Sequence, residues 1–133
     1  ARIGPTVCEL EGPMRAAFDF AERATVRADI ESVTCELFGS LALTGHGHAT
    51  DTAVLLGLSG FQPETVDPDT IAAQVSAIRA DGMLTLAGRM PLPFSEAIQL
   101  LFRKGEFLPG HANAMRFTAL HGDGSTFEAL YYS

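Results

Sequence analysis

Basic side chains are scarce in this sequence. Nine Lys and Arg residues stand against sixteen Asp and Glu residues, and the formal charge at pH 7 is −7. A protein of this charge repels polyanions at long range, so neither nucleic acids nor anionic membrane surfaces are expected as partners. Cysteine is also scarce. Cys8 and Cys35 are the only two, and two thiolates cannot complete a four-thiolate zinc or iron–sulfur site.

Long apolar stretches are missing as well. No run reaches the roughly 18 residues that a membrane-spanning helix needs, and the first residues, ARIGP, lack the basic-then-apolar pattern of a secretory signal. Two cysteines without such a signal are typical of a reducing compartment, so we expect a cytoplasmic protein. Hydrophobic residues make up 47% of the 133 positions and charged residues 19%, which predicts one globular domain over residues 1–133.

Several catalytic signatures are absent too. The chain has neither a Walker pattern nor Gly-x-Gly-x-x-Gly, which argues against nucleotide binding. It has no Gly-x-Ser-x-Gly, and no carboxylate pair stands apart from the charged surfaces, which argues against a serine hydrolase and a glycosidase. Two polar segments remain as candidates for chemistry, GHGHATD at 45–51 and LPGHANAMRF at 108–117.

Periodicity predicts an α+β fold in which helices pack on one face of a mixed, largely antiparallel sheet. Each predicted helix has a start or stop signal: 13–24 with Pro13 first, 50–60 with Thr50 or Asp51 as cap and Gly60 as stop, and 67–81 with an Asp-Pro-Asp start. Alternation predicts strands at 33–41, 83–87, 90–94, 115–120 and 127–132, and a short helix is expected at 95–102. Cys35 is expected in the core.

The paired histidines of GHGHATD raise the question of a metal site. Residues two positions apart on a helix diverge by about 200°, so His46 and His48 could share an ion only from a loop or an extended segment. The flanking glycines make a loop plausible. The candidates for a third ligand are His111, His121 and Asp51. No third ligand is fixed by spacing, so metal binding is the weakest interpretation of this segment.

The same turn has two other interpretations. A glycine-rich turn before a helix can present backbone N–H groups and the positive end of the helix dipole to an anion. It can equally be a tight turn with solvent-exposed histidines, and residue types alone favour neither. The second segment carries His111 and Asn113 on a predicted loop. It is either a capped turn, which is the commoner case, or one wall of a polar pocket beside GHGHATD.

Taken together, these segments resemble a known family. LFGSLALTGHGHATDTAVLLGLSG (37–60), PETVDPD (63–69), LPGHANAMRF (108–117) and YYS (131–133) look like the β domain of the iron–sulfur-dependent bacterial L-serine dehydratases, or L-serine ammonia-lyases. The resemblance covers essentially the whole chain. It implies conversion of L-serine to pyruvate and ammonia, and an α+β fold similar to the allosteric substrate-binding domain of phosphoglycerate dehydrogenase.

The resemblance also assigns the cofactor to another domain. In this family a 4Fe–4S cluster is held by cysteines of a larger α domain, in the same polypeptide or on a partner subunit, and an open iron acts as Lewis acid on L-serine. Neither Cys8 nor Cys35 matches a cluster ligand, so this chain is expected to bind no cofactor. It would cover and complete the active site of the cluster-bearing α domain and be inactive alone. A homodimer of this chain is a further alternative that the resemblance leaves open.

Roles for single residues follow from the same resemblance. His48 matches the catalytic histidine, and an imidazole can donate a proton to the leaving hydroxyl or orient the substrate near neutral pH. His46 is interpreted as its neighbour without a role, and Asp51 as the helix cap. The residues for which substrate binding is implied are Ser40, Thr50, His111 and Asn113.

One segment departs from the family. Between IGP (3–5) and GPM (12–14) the family carries a serine-rich stretch that ends in His-Thr-Val, whereas this chain reads TVCELE (6–11). A second active-site histidine is therefore absent, and Glu9 and Glu11 would repel a substrate carboxylate. This departure favours the alternative function, a non-catalytic regulatory domain that binds serine or another small anion. A structural dimerisation module is the third hypothesis.

Overall fold

The computed structural model describes residues 7–39, 42, 49–103, 106 and 113–132. The helices in these parts of the chain are α1, Val7–Ala24; α2, Ala49–Leu58; α3, Ile71–Asp81; and α4, Glu96–Gln99. None of them is long and apolar enough to cross a membrane. A short 3-10 turn at Pro68–Thr70 leads into α3. The three long helices that the periodicity predicts are therefore present.

The strands that the structure describes form two sheets. They are β1, Ile30–Gly39; β2, Met83–Leu86; β3, Met90–Pro93; β4, Leu100–Arg103; β5, Asn113–His121; and β6, Thr126–Tyr132. The main sheet has the order β4-β1-β5-β6, and β2 pairs with β3 in a separate hairpin. β1 and β4 are parallel, whereas the other pairs are antiparallel. The predicted α+β class with a mixed, largely antiparallel sheet is confirmed.

Helix α1 covers one face of the main sheet. Phe20 stacks on Phe117 of β5, with ring centroids 5.1 Å apart, and on Phe127 of β6 at 5.7 Å. Cys35 of β1 is the register partner of Phe117 and is fully buried, which confirms its predicted place in the core. Burial raises the pKa of its thiol well above the ordinary value. This apolar layer is the main source of stability in a domain of this size.

Helix α2 is buried behind α1, as its nearly continuous apolar sequence predicts. Every residue from Ala53 to Leu58 is buried. A Cβ atom on Gly57 would stand only 2.6 Å from the Cβ of Ala17 and 3.0 Å from the backbone nitrogen of Phe18. Glycine therefore allows α1 and α2 to approach this closely, and the contact determines where α2 lies.

The start signal of α3 and the stop signals of α2 and α3 act as predicted. Asp67 accepts a hydrogen bond from the backbone N–H of Asp69 at 3.0 Å and caps the turn before α3. Gly82 ends α3 with φ of 65°, and Gly60 ends α2 with φ of 96°. This left-handed conformation favours glycine. The backbone N–H of Gly60 donates to the carbonyl of Gly57 and closes the last turn of α2.

The predicted start of α1 is wrong. The helix begins at Val7, and Pro13 lies inside it rather than at its first position. Proline cannot donate the usual backbone hydrogen bond to the carbonyl four residues earlier. The segment before it is rich in Glu and Leu, which are good helix formers, and this propensity extends the helix past the proline.

One strand prediction and one helix prediction need correction. β1 starts at Ile30 rather than at Val33, because β5 offers backbone partners as far as His121. β1 is described to Gly39, and the last two predicted positions, 40 and 41, lie outside the described residues. Residues 95–102 are not one helix. α4 ends at Gln99, and Leu100–Arg103 is a strand that pairs in parallel with the edge of β1. Pairing with an available sheet edge overrides the helical pattern there.

Candidate functional site

Four strand termini meet at one end of the main sheet. In the register of β1 and β5, Gly39 is the partner of Asn113. Arg103 at the end of β4 is the partner of Phe38, next to Gly39 in the chain. Tyr132 at the end of β6 is the partner of Ala114. The residues that define this end, called the Gly39 end below, are Gly39, Arg103, Asn113 and Tyr132.

One polar motif, LPGHANAMRF, runs into the sheet at the Gly39 end, and the other, GHGHATD, begins six residues after Gly39. The segment 40–48 leaves β1 after Gly39, and the segment 107–112 enters β5 at Asn113. The backbone N–H of Gly39 also donates to the carbonyl of Glu106 at 2.8 Å. Because Gly39 and Asn113 are register partners, the segment that leads to GHGHATD and the segment that carries His111 connect to neighbouring positions of the sheet. The predicted site residues outside the described part of the chain are Ser40, His46, His48 and His111.

Asn113 differs from its predicted setting. The sequence pattern predicts a loop, but Asn113 is the first residue of β5 and is half-buried. Pairing with Gly39 extends the strand to this residue. Its side chain is consequently carried by the sheet rather than by a loop, and a regular element holds a functional group more firmly than a loop does.

Thr50 and Asp51 are not helix caps, contrary to the prediction. α2 begins at Ala49, so both residues lie in its first turn. Thr50 is half-buried, whereas Asp51 is fully buried. One carboxylate oxygen of Asp51 accepts the backbone N–H of Thr52 at 2.8 Å. An acidic side chain in the first turn is favoured by the helix dipole, and the second oxygen has a charged partner.

That partner is Arg79 of α3. Its Nη2 lies 3.2 Å from Oδ2 of Asp51, and its Nε and Nη2 donate to Glu96 of α4 at 2.5 and 3.2 Å. The hydrogen bond to Glu96 is the main cause of the raised pKa of Arg79. These three side chains, called the Arg79 network below, join α2, α3 and α4.

Sequence reasoning missed Arg79, although a signal was available. Ile71 and Val75 are the buried residues of α3, and Arg79 is the next residue at the same four-residue spacing. Its side chain is 41% exposed, and a charged residue that continues the buried stripe of a helix in this way can pair with a carboxylate of a neighbouring element. The spacing does not say which carboxylate.

A second ionic cluster lies close to the Gly39 end. Glu36 of β1 accepts hydrogen bonds from Nε of Arg116 at 2.8 Å and from Nε of Arg103 at 3.0 Å. The hydrogen bond from Arg116 is the main cause of the lowered pKa of Glu36. The guanidinium of Arg116 also stands 5.2 Å from the ring centroid of Phe38, within range of a cation–π contact.

Comparisons with known proteins cover the whole chain. The family model of the serine dehydratase beta chain matches residues 1–133. This chain belongs to the serine dehydratase β-chain family. It is 39% identical to an L-serine dehydratase of Streptomyces coelicolor, 41% to one of Mycobacterium bovis and 38% to L-serine dehydratase 2 of Escherichia coli. Each match covers 98% of this chain but only 29–30% of the relative, so the chain spans about three tenths of their length.

The metal interpretation gains no support from the described part of this β chain. It contains no group of three His, Cys, Asp or Glu side chains that could hold an ion. Asp51 is paired with Arg79. His121 is the register partner of Ile30, at the far end of β5, roughly 27 Å from Asn113 for eight extended residues. His121 therefore lies far from the Gly39 end.

Proposed function

We propose that this β chain is part of an L-serine ammonia-lyase, which converts L-serine to pyruvate and ammonia in the cytoplasm. Its relatives named above are L-serine dehydratases, and their greater length leaves room for another domain. That domain would be the α domain with its 4Fe–4S cluster, fused or on a partner subunit, and this chain would complete its active site. The observation that carries the proposal is the register pair of Gly39 and Asn113, which connects the segments that lead to the two polar motifs to neighbouring positions of the sheet.

Cys35, the cysteine whose side chain the structure describes, does not suit a cluster ligand. Cys35 is fully buried between the sheet and α1, and burial raises the pKa of its thiol. A cluster ligand must be a thiolate at a position that the iron can reach. We therefore assign the cluster ligands to the α domain and derive no step through a cluster on this chain.

The proposed residue roles are polar and proton-transfer roles. His48 would be the catalytic residue, because an imidazole exchanges a proton near neutral pH and can assist departure of the substrate hydroxyl. Ser40, Thr50, His111 and Asn113 would bind the substrate through hydroxyl, imidazole and amide groups. Of these four, Asn113 and Thr50 lie in the described residues, at the first position of β5 and in the first turn of α2.

Reconstitution tests this function. The chain is mixed anaerobically with a matching cluster-bearing α domain, and pyruvate is measured after addition of L-serine. We expect activity only when both parts are present. His48→Ala should lower kcat by roughly a hundredfold, whereas the matched variant His46→Ala should retain activity. Full activity of the His48→Ala variant would refute the catalytic assignment. An inactive mixture, with an α domain that a known β domain activates, would refute the function.

A regulatory ligand-binding domain is the second candidate, and a groove in the structure favours it. The groove has a volume of about 380 Å³ and lies between α1 and β6. Arg15 and Asp19 line one side and Tyr131 lines the other. Arg15 forms a salt bridge with Glu64, and Asp19 accepts a hydrogen bond from Tyr131 at 2.6 Å. Isothermal titration of the isolated chain with L-serine tests this candidate. Saturable binding that needs no α domain would support it, and no heat of binding would exclude it.

A further inference from the structure

Among the described residues, His121 carries a buried side-chain nitrogen that has no hydrogen-bond partner. The residue ends β5 and is 3% exposed, and the nitrogen is Nδ1 of its imidazole. Buried polar atoms are nearly always hydrogen-bonded. Oδ1 of Asp29 lies 3.4 Å from this nitrogen, which is beyond the usual hydrogen-bond length of about 2.7–3.2 Å. Nδ1 therefore faces a carboxylate with which its contact is incomplete.

Asp29 holds a permanent negative charge beside this nitrogen. Arg27 donates to both of its carboxylate oxygens, from Nε to Oδ1 at 3.0 Å and from Nη2 to Oδ2 at 2.6 Å. This hydrogen bonding is the main cause of the lowered pKa of Asp29. The carboxyl of Asp29 is therefore ionised throughout the range of about pH 5 to 8 in which histidine side chains ordinarily gain or lose a proton.

Two carboxylates and one guanidinium surround His121, so these groups carry one net negative charge while its imidazole is neutral. Asp29 faces Nδ1, and Nη2 of Arg27 connects Asp29 to Oδ2 of Asp123 at 3.3 Å. Hydrogen bonds from Ser125 lower the pKa of Asp123, so this carboxyl is ionised as well. A proton on His121 neutralises the cluster, and Asp29 supplies the counter-charge that a buried imidazolium needs.

Two loops meet at His121: the turn between β5 and β6 (122–125) and the loop between α1 and β1 (25–29). A hydrogen bond from the backbone N–H of Gly122 to the carbonyl of Asp29, at 2.7 Å, joins them. The side chain of His121 lies at the same junction. A hydrogen bond between its Nδ1 and the carboxylate of Asp29 would therefore join the two loops through their side chains as well as through their backbones.

We propose that His121 and Asp29 form a pH-sensitive switch: when His121 is protonated, its Nδ1–H donates to the carboxylate of Asp29 and joins the turn 122–125 to the loop 25–29, and when it loses the proton this contact opens. The imidazolium carries a proton on both ring nitrogens, whereas the neutral ring carries only one. A hydrogen bond between charged groups is roughly twice as strong as one between neutral groups. The contact is therefore closed on the acid side of neutral pH. This inference is independent of the proposed function.

Nuclear magnetic resonance of this chain tests the switch between about pH 5.5 and pH 8. Amide hydrogen exchange of Gly122 is expressed as a protection factor, which removes the intrinsic effect of pH on exchange. We expect protection of this amide to be about tenfold higher at the acid end, because one charge-assisted hydrogen bond opposes local opening there. Long-range proton–nitrogen spectra report the protonation of the His121 ring directly and need no variant. A ring that stays in one protonation state over the whole range would overturn the proposal.

Asp29→Asn removes the charge of the acceptor and keeps the size of its side chain. We expect the protection of Gly122 at the two ends of the pH range to become equal within about twofold, because the charge-assisted hydrogen bond is lost. Circular dichroism checks that the variant is folded. A ratio of protection equal to that of the parent would refute the role of Asp29.

Asp123→Asn is the matched control. Asp123 also pairs with Arg27, at 3.3 Å, and its other described partner is Ser125 rather than His121. Asparagine keeps an oxygen that can accept from Ser125, so we expect this variant to retain the roughly tenfold ratio of the parent. Loss of the ratio in both variants would assign the pH dependence to the Arg27 bridge and would contradict the switch.

Discussion

Arg79 and Arg27 each bridge a pair of carboxylates, yet their surroundings differ. Arg79 joins Asp51, whose side chain is 0% exposed, to Glu96, which is 17% exposed. Arg27 joins Asp29 and Asp123, which are 42% and 58% exposed. The chemical groups are the same and the distances are similar. Burial is the difference, and burial decides whether loss of the cation leaves a charge that water cannot solvate.

Replacing each arginine by an uncharged residue should show the largest difference between the two bridges in the free energy of unfolding. Arg79→Met removes the cation beside the buried carboxylate of Asp51. We expect the free energy of unfolding to fall by roughly 2–3 kcal/mol, less than the roughly 3–5 kcal/mol of a fully buried pair, because the side chain of Arg79 is 41% exposed. Arg27→Met is the matched control and should cost less than about 1 kcal/mol. Chemical denaturation followed by circular dichroism measures both. Equal losses would contradict the role of burial.

Glu36 is intermediate in side-chain exposure between Asp51 and Asp29. Its side chain is 13% exposed and accepts from Arg103 and Arg116. Glu36→Gln leaves these two cations beside each other, and we expect a loss of about 1–2 kcal/mol in the free energy of unfolding.

Glu128→Gln is the control for this change. Glu128 also pairs with Arg116, but at 3.9 Å and with a side chain 53% exposed. Its replacement should cost less than about 0.5 kcal/mol. A larger loss for Glu128→Gln than for Glu36→Gln in the same denaturation experiment would show that exposure does not rank these pairs.

The acid dependence of stability gives the smallest expected effect. The hydrogen bonds from Arg116 and Arg103 hold the pKa of Glu36 below its ordinary value of 4.5. Its contribution is therefore fully present above pH 4.5 and is lost as the pH falls through the lowered pKa. We expect the difference in unfolding free energy between the parent and Glu36→Gln to shrink below about pH 4. A difference that stays constant from neutral pH to that range would contradict this linkage.

Local signals in the sequence predicted much of the fold. The cap at Asp67 and the left-handed glycines at Gly60 and Gly82 mark the ends of α2 and α3 correctly, because each depends on the backbone of a few neighbouring residues. The alternation in β1 predicts a strand with Cys35 in the core, and it is confirmed. These features need no knowledge of distant parts of the chain.

The predictions from sequence are wrong where pairing with a distant residue decides the local structure. Leu100 to Arg103 is a strand only because β1 presents an unpaired edge beside it. Asn113 belongs to a strand because it pairs with Gly39. Asp51 reads as a helix cap in the sequence, whereas in the fold it is the buried partner of Arg79, 28 residues away. None of these partners is visible in the residues that surround the position itself.

The sequence by itself determined the α+β class, the ends of the central helices, the family and the two polar motifs, because periodicity, capping and motif order are local properties. Only the tertiary structure decided that the segments leading to both motifs meet the sheet at the pair Gly39 and Asn113, and that Arg79 pairs with Asp51 in the first turn of α2. The physical reason is that strand register and charge compensation depend on which distant residues share a desolvated space. That information exists only once the chain has folded.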